Sequence, residues 1–549
     1  MNIIELIHKD FNDYLQRFFT ITSDITDTIA FTVNTDEHKA EFGDINSNAA
    51  MVLAKHLGKR PMEIAELIAG GFKHPDVEII ALHAPGFLNF TLTEDALKKL
   101  AAEMHNQKKT FFKIYEHSTE HINLEFVSAN PTGPLHFGHG RGAIIGDVLA
   151  NVLNFAGHKA TKEFYINNAG SQMQKLGMSF RIRCMQELGQ EIQLPEEAYH
   201  GEYLIDLAKN LVAQEGKHLL EQPDQYFSHY AEKHMLANIK KTLQDYGVTF
   251  DIWFPEIKLH TDGEIEKTLR ILNSNGYLYE LEGATWFKAT AFGDDKDRVL
   301  IKADGEYTYA SADVAYMQDK IDRGFNHLIM ILGHDHHSYL MRLQCIQKAL
   351  GLDKYPLDII LYQLVKMKQS GELVRMSKRA GNIVTLQDVI DTVGKDVARF
   401  FFLHRKADAQ LDFDLDLALK KTDENPVHYV QYAYVRTKSI LEKAASFISH
   451  DTLNAEDAQH IGKEEAMLLK KLVSLKQVIE TICKTHQTHI LTYYVIELAN
   501  IFHSYYAKHR VIDETKPDQS RGRLLLISLL KDTFETALTL LGVSCPERM

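Results

Sequence analysis

The feature that most constrains the fold is a strand, a turn and a helix that follow one another near residue 130. Residues 122–130 (INLEFVSAN) have the apolar pattern of a strand, and the proline- and glycine-rich turn PTGPLHFGHGRG follows at residues 131–142. Helical spacing then runs from about residue 138 to 155, and a second strand is predicted at about 160–166. This β-turn-α-β order indicates a parallel, doubly wound (Rossmann-type) sheet in an α/β protein.

The rest of the chain predicts three domains, because 549 residues exceed what one hydrophobic core usually holds. Two further apolar runs, HLIMILG and LDIILYQL, predict the buried strands that complete the sheet. We predict an N-terminal α/β domain, a catalytic domain that carries a largely helical insertion, and an all-helical C-terminal domain. Their predicted ranges are 1–115, 116–424 with the insertion at about 175–300, and 425–549.

Composition excludes several classes of protein. The formal net charge of −13 argues against a general nucleic-acid binder, although one basic face on an acidic body stays possible. The four cysteines form no CxxC pair, so neither a zinc site nor a disulfide framework is predicted. The first residues carry charges where a signal peptide needs an apolar run, and no apolar stretch approaches the roughly 20 residues that span a membrane. We therefore expect a cytoplasmic protein without a membrane anchor.

The turn after the first strand contains a candidate phosphate site, His136-Phe137-Gly138-His139. A helix N-terminus offers unpaired N–H groups and positive partial charge, and imidazoles can donate hydrogen bonds to phosphate oxygens. Gly138 has no Cβ, which would let an adenine ring or a ribose lie against the backbone. Taken alone, the two histidines are also compatible with an ordinary surface turn.

A second candidate is the loop RMSKRAGN, residues 375–382, which follows the hairpin sequence KMKQSGELV. Its cations and small residues suit a clamp on a triphosphate, although a basic loop of this kind is usually just solvated. The two loops lie about 240 residues apart, one after the first strand and one after the last. The two loops in this order are a more specific indication of a nucleotide site than either loop alone.

At these residues the chain resembles the class I aminoacyl-tRNA synthetases. The segment FVSANPTGPLHFGHGRGAIIGDVLANVLNFAGH resembles the HIGH region of the arginyl-tRNA synthetases, and RMSKRAGN resembles their KMSKS loop, with Arg375 and Arg379 as departures. FGDINSNAAMVLAK and APGFLNF are similar to the family's N-terminal domain, which touches the tRNA elbow. NPVHYVQYAYVRTKSI and the ending LLGVSCPERM are similar to its helical anticodon-binding domain.

The resemblance implies an arginine–tRNA ligase that activates L-arginine with ATP and transfers it to the 2′-OH of the terminal adenosine of tRNA(Arg). It implies Mg²⁺ as the counter-ion of ATP, no tightly bound metal and a monomer. The implied catalytic residues are His136, His139 and Lys378. The implied ATP-binding residues are Gly138, His139, Asp335, His336, Met376, Ser377 and Lys378.

The residues implied to bind arginine are Glu125, Ser128, Asn130, Glu256, Tyr309, Asp313 and His334. A guanidinium is a planar cation with five donors, so an acidic fork such as Glu256 with Asp313 is its best partner. Tyr309 lies four residues before Asp313 and shares its face if the segment is helical. The plainer alternatives are an exposed loop carboxylate, a helix cap and a core aromatic. The stretch GHDHH (333–337) invites a metal site, but the family has a similar stretch without metal.

The residues implied to contact the anticodon are Tyr429, Tyr432, Arg436 and Met549. The first three are spaced i, i+3 and i+7 and so share one helix face, where rings and a guanidinium can stack unpaired bases. The alternative is that the tyrosines pack inward.

Two rival functions stay open at this point. A small-molecule nucleotidyltransferase shares the HxGH motif but does not need the N-terminal domain or the C-terminal tyrosine and arginine face. A non-catalytic tRNA-binding relative would be expected to lose His136, His139 or Lys378, all of which are present.

Overall fold

The computed structural model describes residues 2–115, 118–334, 337–374, 385–445 and 453–549. The chain divides into two compact units. The first combines Met1–Ile114 with Lys421–Thr485 and Ile490–Met549, and the second combines Tyr115–Lys420 with His486–His489. The three-domain division expected from the sequence stays a prediction.

The N-terminal part of the first unit is an α/β module around an antiparallel sheet of strand order β1-β2-β4-β3. Its first helix is capped reciprocally, because Asn2 Oδ1 accepts the Glu5 N–H at 3.0 Å and Glu5 Oε2 accepts the Asn2 N–H at 2.8 Å. The elements are α1 (Ile3–Phe19), α2 (Ser23–Thr26), β1 (Phe31–Val33), β2 (Ile45–Ser47), α3 (Ala49–Leu57), α4 (Pro61–Gly71), β3 (Val77–His83), β4 (Phe87–Leu92) and α5 (Glu94–Gln107).

The second unit contains the parallel sheet. Its first half, including the predicted insertion, holds β5 (His121–Phe126), α6 (His139–Ala156), β6 (Lys159–Ile166), α7 (Ser171–Glu187), α8 (Glu202–Glu215), α9 (Asp224–Asp245), β7 (Ile252–Pro255), α10 (Ile257–Thr261), α11 (Glu264–Ser274), β8 (Leu278–Leu281), β9 (Ala284–Phe287) and β10 (Arg298–Ile301). Its second half holds α12 (Tyr309–Asp322), β11 (His327–Gly333), α13 (His337–Ala349), β12 (Leu357–Tyr362), β13 (Val365–Gln369), β14 (Glu372–Leu373), α14 (Leu386–Val393), α15 (Lys395–Leu403), β15 (Leu411–Asp414) and α16 (Leu415–Ala418).

The C-terminal part of the first unit is helical, as predicted. It holds α17 (Pro426–Ala444), α18 (Ala466–Val473), α19 (Leu475–Thr485), α20 (Ile490–Lys508) and α21 (Pro517–Leu541). Helix α21 ends at Gly542, which has a left-handed φ of 66°. Among the helices that the structure describes, none has both the length and the apolar character needed to cross a membrane.

The main sheet has the strand order β12-β11-β5-β6-β7, and every neighbouring pair is parallel. The chain builds outward from β5 to β7, then returns and builds outward on the other side through β11 and β12. The predicted doubly wound sheet is therefore confirmed. Its topological switch point lies between β5 and β11, where the carboxyl ends of strands in this class of sheet bind ligands.

Helix α6 is held close to the sheet by two glycines. A Cβ at Gly146 would lie 2.2 Å from the Phe126 ring, and a Cβ at Gly142 would lie 2.7 Å from the Tyr362 ring. The fully buried Arg141 adds three hydrogen bonds of 2.8 Å to backbone carbonyls at residues 363, 406 and 409. These contacts fix the end of α6 that faces the switch point.

The region expected to be a largely helical insertion, 175–300, differs from that expectation. Helices α7, α8 and α9 share their own core around Phe180, Leu204 and Phe227, and we call them the helical insertion. Beyond them, β7 joins the main sheet as its edge strand, and β8–β10 form a separate antiparallel sheet. These strands have only four residues each, which is too few for their periodicity to stand out in the sequence.

Candidate active site

Two histidines lie at the amino end of α6, with ring centroids 3.7 Å apart. Gly138 donates its N–H to His136 Nδ1 at 3.0 Å, and His136 donates its own N–H to His139 Nδ1 at 3.2 Å. Because each Nδ1 accepts, each neutral ring carries its proton on Nε2, from where it can be donated to an oxygen of an anion. Together with the helix N-terminus, this arrangement suits a phosphate.

Gly138 has a different neighbour from the one that the sequence suggested. A Cβ at this position would lie 2.9 Å from His136 Cε1. The room left by the missing Cβ therefore admits the His136 imidazole, whereas the sequence argument gave that room to adenine or ribose. The contribution of Gly138 to ATP binding stays a prediction.

The chain leaves β5 through a strained turn. Val127 and Ser128 both have left-handed φ values, 65° and 40°, which cost about 1–3 kcal/mol for residues of this kind. Ser128 Oγ donates to Glu125 Oε1 at 3.0 Å and accepts the Tyr165 N–H at 3.1 Å. These bonds stabilise the turn that presents the exposed Asn130 next to the switch point.

Glu256 lies at the start of α10 and is buried. Burial raises its pKa to about 7, against the hydrogen bond from Tyr165 and with the added charge of Asp313. Tyr165 lies near three carboxylates. Its pKa is raised by burial first and then by the charges of Glu256, Asp313 and Glu125. The alternative of an exposed loop carboxylate is wrong for Glu256.

Asp313 lies in the second turn of α12, four residues after Tyr309, so the segment is helical and the condition for a shared face is met. Burial raises its pKa to about 6, although Tyr339 and Arg342 both lower it. Tyr339 donates its hydroxyl to Asp313 Oδ1 at 2.5 Å, and Arg342 lies 3.8 Å from Oδ2. The position is inside the helix, so Asp313 is not an N-terminal cap.

Two ion pairs, each with a buried carboxylate, hold α12 on the sheet. Lys320 donates to Glu125 Oε2 at 2.6 Å, and Arg323 makes two bonds of 2.6 and 2.9 Å to Glu163. The carboxylate of Glu125 is thus already paired by a cation in this structure. We infer that Glu125 orients the site through Ser128 and Lys320 more than it supplies uncompensated charge.

The other predicted arginine-binding residues lie at the edge of the same region. Tyr309 is half exposed, at 49%, and its hydroxyl lies 3.8 Å from where a Cβ of Gly170 would be. His334 follows β11 directly and is exposed. Tyr309 is therefore not a core aromatic.

Several predicted residues lie outside the described ranges. They are Asp335 and His336 after β11, and the whole loop that contains Arg375, Met376, Ser377, Lys378 and Arg379. The hairpin before that loop is confirmed, because β13 pairs with β14 in antiparallel register. Among the described residues, no group of three or more His, Cys, Asp or Glu side chains is arranged to hold a metal ion.

A separate aromatic surface lies on the C-terminal helices. Tyr429 and Tyr432 from α17 both contact the His503 ring of α20, with centroids 5.0 and 5.7 Å away. Arg436 donates to the Tyr432 hydroxyl at 2.5 Å, and its guanidinium lies over the rings of Tyr432 and Tyr506. The predicted shared face is present, and Tyr432 is 40% exposed rather than packed inward.

The C-terminal tail runs back along α17. Gln431 donates its amide to the Ser544 carbonyl at 3.1 Å, and Lys438 pairs with Glu547. Met549 follows two residues later and is 56% exposed. These contacts place Ser544 and Glu547 of the tail beside the helix that carries Tyr432 and Arg436.

Sequence reasoning missed Tyr165, Tyr339, Lys320, His503 and Tyr506. Tyr165 and Tyr339 reach the carboxylates from β6 and α13, far from those carboxylates along the chain. The alternation of side chains along β6 places Tyr165 and Glu163 on one face, which was a usable signal. The partners of the aromatic surface had no comparable signal, because α20 is apolar on most of its faces.

Family models match three stretches that together cover most of the chain. Residues 5–92 match the family model of the arginyl tRNA synthetase N terminal domain, and residues 430–549 match that of the DALR anticodon binding domain. Residues 100–411, more than half of the chain, match the model described as tRNA synthetases class I (R), catalytic domain.

Similar curated proteins and solved structures agree with these models. The arginine–tRNA ligase of Syntrophotalea carbinolica is 43% identical over 523 residues, 93% of each chain, and that of Bacillus subtilis is 40% identical over 513 residues, 92% of each. The Thermus thermophilus and Plasmodium falciparum arginyl-tRNA synthetase structures superpose with TM-scores of 0.75 and 0.77, at 20% and 18% identity and with full coverage of both chains. These two structures show the same fold.

Proposed function

This chain belongs to the arginyl-tRNA synthetase family, and we infer that it is an arginine–tRNA ligase. It activates L-arginine with ATP and then transfers the arginyl group to tRNA(Arg). In the first step the arginine carboxylate attacks the α-phosphate and pyrophosphate leaves. In the second step the 2′-OH of the terminal adenosine attacks the arginyl carbonyl and AMP leaves.

The observation that carries this function is the pair of carboxylates Glu256 and Asp313. Burial is the chief cause of the raised pKa of each carboxyl group, so the ionised form of each is stabilised when a cation binds beside it. Tyr165 and Tyr339 orient them by hydrogen bonds. A guanidinium meets two carboxylates along its edges, whereas an ammonium is a compact point charge. We propose that these two residues recognise the guanidinium group of arginine, and that Tyr309 covers the arginine side chain.

The other end of arginine lies toward the switch point in this proposal. Asn130 and Ser128 hold its α-amino and carboxylate groups, oriented by Glu125. His136 and His139 then donate hydrogen bonds to the phosphates as negative charge develops on them. Lys378 stabilises the departing pyrophosphate by its positive charge. Positioning and electrostatic stabilisation supply most of the catalysis. Gly138, His334, Asp335, His336, Met376 and Ser377 complete the proposed ligand contacts.

We further propose that Mg²⁺ accompanies ATP as its counter-ion without a dedicated protein cage.

The proposed anticodon surface consists of Tyr429, Tyr432, Arg436 and Met549, and His503 and Tyr506 lie beside it. The protein acts as a monomer in the cytoplasm in this proposal.

The direct test is a charging assay with labelled arginine, ATP and three forms of a tRNA(Arg) transcript. We expect the intact tRNA and a tRNA ending in 3′-deoxyadenosine to accept arginine, and a tRNA ending in 2′-deoxyadenosine to fail. The His136→Ala/His139→Ala double variant is the inactive control. Charging of the 2′-deoxy tRNA at the normal rate would refute the transfer step.

A further inference from the structure

The helical insertion touches the loop that carries the proposed substrate groups. Tyr203, the second residue of α8, donates its hydroxyl to the Thr132 carbonyl at 2.5 Å. Thr132 lies between Asn130 and His136 along the chain. A tyrosine of the insertion therefore contacts the stretch from residue 130 to residue 138, which we call the substrate loop.

The Tyr203 ring packs closely against two glycines. A Cβ at Gly133 would lie 3.1 Å from its hydroxyl oxygen, and a Cβ at Gly201 would lie 2.1 Å from its Cε1. On its other side the ring packs against the insertion core. Two glycines, one in the substrate loop and one before α8, thus admit a single aromatic ring between the two elements.

The substrate loop needs such an external donor. Pro131 and Pro134 have no backbone N–H, so this stretch cannot form a regular hydrogen-bonded ladder. Its start is held by the Thr132 N–H to the Asn130 carbonyl at 2.8 Å, and its end by the Leu386 N–H to the Leu135 carbonyl at 2.9 Å. The Tyr203 hydroxyl holds the middle.

The insertion has a second link to the site, on the arginine side. Glu232 of α9 accepts the side-chain amide of Asn168 at 2.9 Å, and Asn168 Oδ1 accepts the Ile257 N–H at 3.2 Å. Ile257 directly follows Glu256. The insertion therefore braces the substrate loop and the Glu256 segment through different side chains, and the effects of the two braces are separable.

We propose that Tyr203 is a positioning residue for arginine activation, which rests on the proposed function. By fixing the Thr132 carbonyl it sets the placement of Asn130 and His136 relative to the reacting carboxylate and α-phosphate. Glu256 and Asp313, the residues proposed to bind the guanidinium, lie on other elements, the β7–α10 segment and α12. Their positions do not depend on this loop. Loss of the brace therefore lowers the turnover rate by more than it weakens arginine binding, because Asn130 is only one of the proposed arginine contacts and misplacement acts on the transition state more than on the bound ground state.

The test compares Tyr203→Phe with Tyr226→Phe. Tyr226 is the matched control, because its hydroxyl donates to the Glu215 carboxylate at 2.6 Å within the insertion, so Tyr226→Phe also removes one tyrosine hydroxyl and its hydrogen bond. In ATP–pyrophosphate exchange with tRNA present, Tyr203→Phe should lower kcat about tenfold, on the scale of misplaced reacting groups. The KM for arginine should rise by a smaller factor than kcat falls, and the melting temperature should match that of Tyr226→Phe.

Hydrogen–deuterium exchange of the ligand-free full-length protein gives a readout that is independent of activity. Peptides covering residues 130–140 should exchange faster in Tyr203→Phe than in the wild type and in Tyr226→Phe. Unchanged protection of these peptides, or a kcat equal to that of Tyr226→Phe, would overturn the proposal. So would a rate loss that merely follows a lower melting temperature. Absence of exchange with arginine in the wild type would instead count against the proposed function, while the deuterium readout would still decide the role of Tyr203.

Discussion

The hydroxyl of Tyr339 lies 2.5 Å from Asp313 Oδ1 and donates its hydrogen to it. Arg342, three residues further along α13, is 3.8 Å from the other carboxylate oxygen. One oxygen is therefore oriented by a neutral donor, and the other meets a cation at a distance longer than a hydrogen bond. Asp313 is held in place while its charge stays incompletely compensated, and its pKa stays raised to about 6 by burial.

Asp313→Asn should raise the KM for arginine about 10- to 100-fold, on the scale of a hydrogen bond between charged groups. It should also narrow the preference for arginine over lysine, because one of the two edges of the guanidinium loses its charged partner. Glu256→Gln should act in the same direction. The measurement is pyrophosphate exchange with arginine, lysine and canavanine.

The matched control for this prediction is Asp322→Asn, at the exposed end of the same helix, where the carboxylate pairs with Lys267. It should leave all three substrates unaffected. Normal arginine kinetics in both pocket variants would mean that Asp313 and Glu256 are structural.

Arginine binding should depend on pH through the same two groups. Their folded-state pKa values, about 6 and about 7, lie above the ordinary carboxyl values of 3.8 and 4.5. The ligand-free protein therefore keeps protons that a cationic substrate must displace. The KM for arginine should fall as pH rises from 6 to 8, with a limit of about tenfold per pH unit for each displaced proton. Glu256→Gln should flatten the upper part of this profile.

The linked effect on stability has the opposite sign. Between about pH 4.5 and 7 for Glu256, and between about pH 3.8 and 6 for Asp313, the folded state holds a proton that the unfolded chain has released. These groups therefore make the free energy of unfolding fall as pH rises. Glu256→Gln removes one of the two contributions. Denaturant unfolding of the ligand-free protein at a series of pH values measures this slope, and an identical slope in the variant would contradict the raised pKa.

Removing either imidazole at the end of α6 should slow adenylate formation by about 10²–10³-fold, which is typical for the loss of one donor to developing charge. The His136 and His139 rings stack on each other near the surface, so the melting temperature should change little. His229→Ala, at an exposed position in the insertion, is the control. Single-turnover formation of adenylate measures the step, and wild-type rates in both variants would remove the two histidines from the catalytic machinery.

The aromatic surface should contribute to tRNA affinity alone. Tyr432→Ala and Arg436→Ala should each raise the KM for tRNA(Arg) by about 5- to 100-fold, since stacking of one base is worth about 1–3 kcal/mol. The KM values for arginine and ATP should stay constant. Tyr434→Phe is the control on the same helix, because Tyr434 is buried and its hydroxyl donates to Glu535. Equal tRNA kinetics in all three variants would show that RNA does not bind here.

The catalytic sheet was predictable because its long strands, such as β11 and β12, are apolar runs and because the turn before α6 has a specific composition. The closeness of Glu256 to Asp313 agrees with what local sequence resemblance led us to expect, while their role and that of Tyr309 in binding arginine stay predictions. The small antiparallel sheet and the edge strand β7 were not, since four-residue strands give almost no periodicity.

The partners of the site were harder to predict than the residues proposed to bind arginine. Tyr165, Tyr339 and Lys320 come from three different elements and meet their carboxylates only through the packing of α12 and α13 on the sheet. Periodicity shows which face of an element is buried, but it does not show which residue of another element lies opposite. The same reason explains why Tyr203 could not be linked to Thr132, 71 positions away along the chain.

The measurement that tests the central claim most directly is ATP–pyrophosphate exchange with each of the twenty amino acids in turn, in the presence of tRNA(Arg). Arginine should support rapid exchange. Lysine should be rejected strongly, because a carboxylate pocket built for five donors is left partly unpaired by an ammonium. Exchange that is equally fast with lysine, or that occurs with another amino acid and not with arginine, would contradict the assignment of the Glu256 and Asp313 pocket.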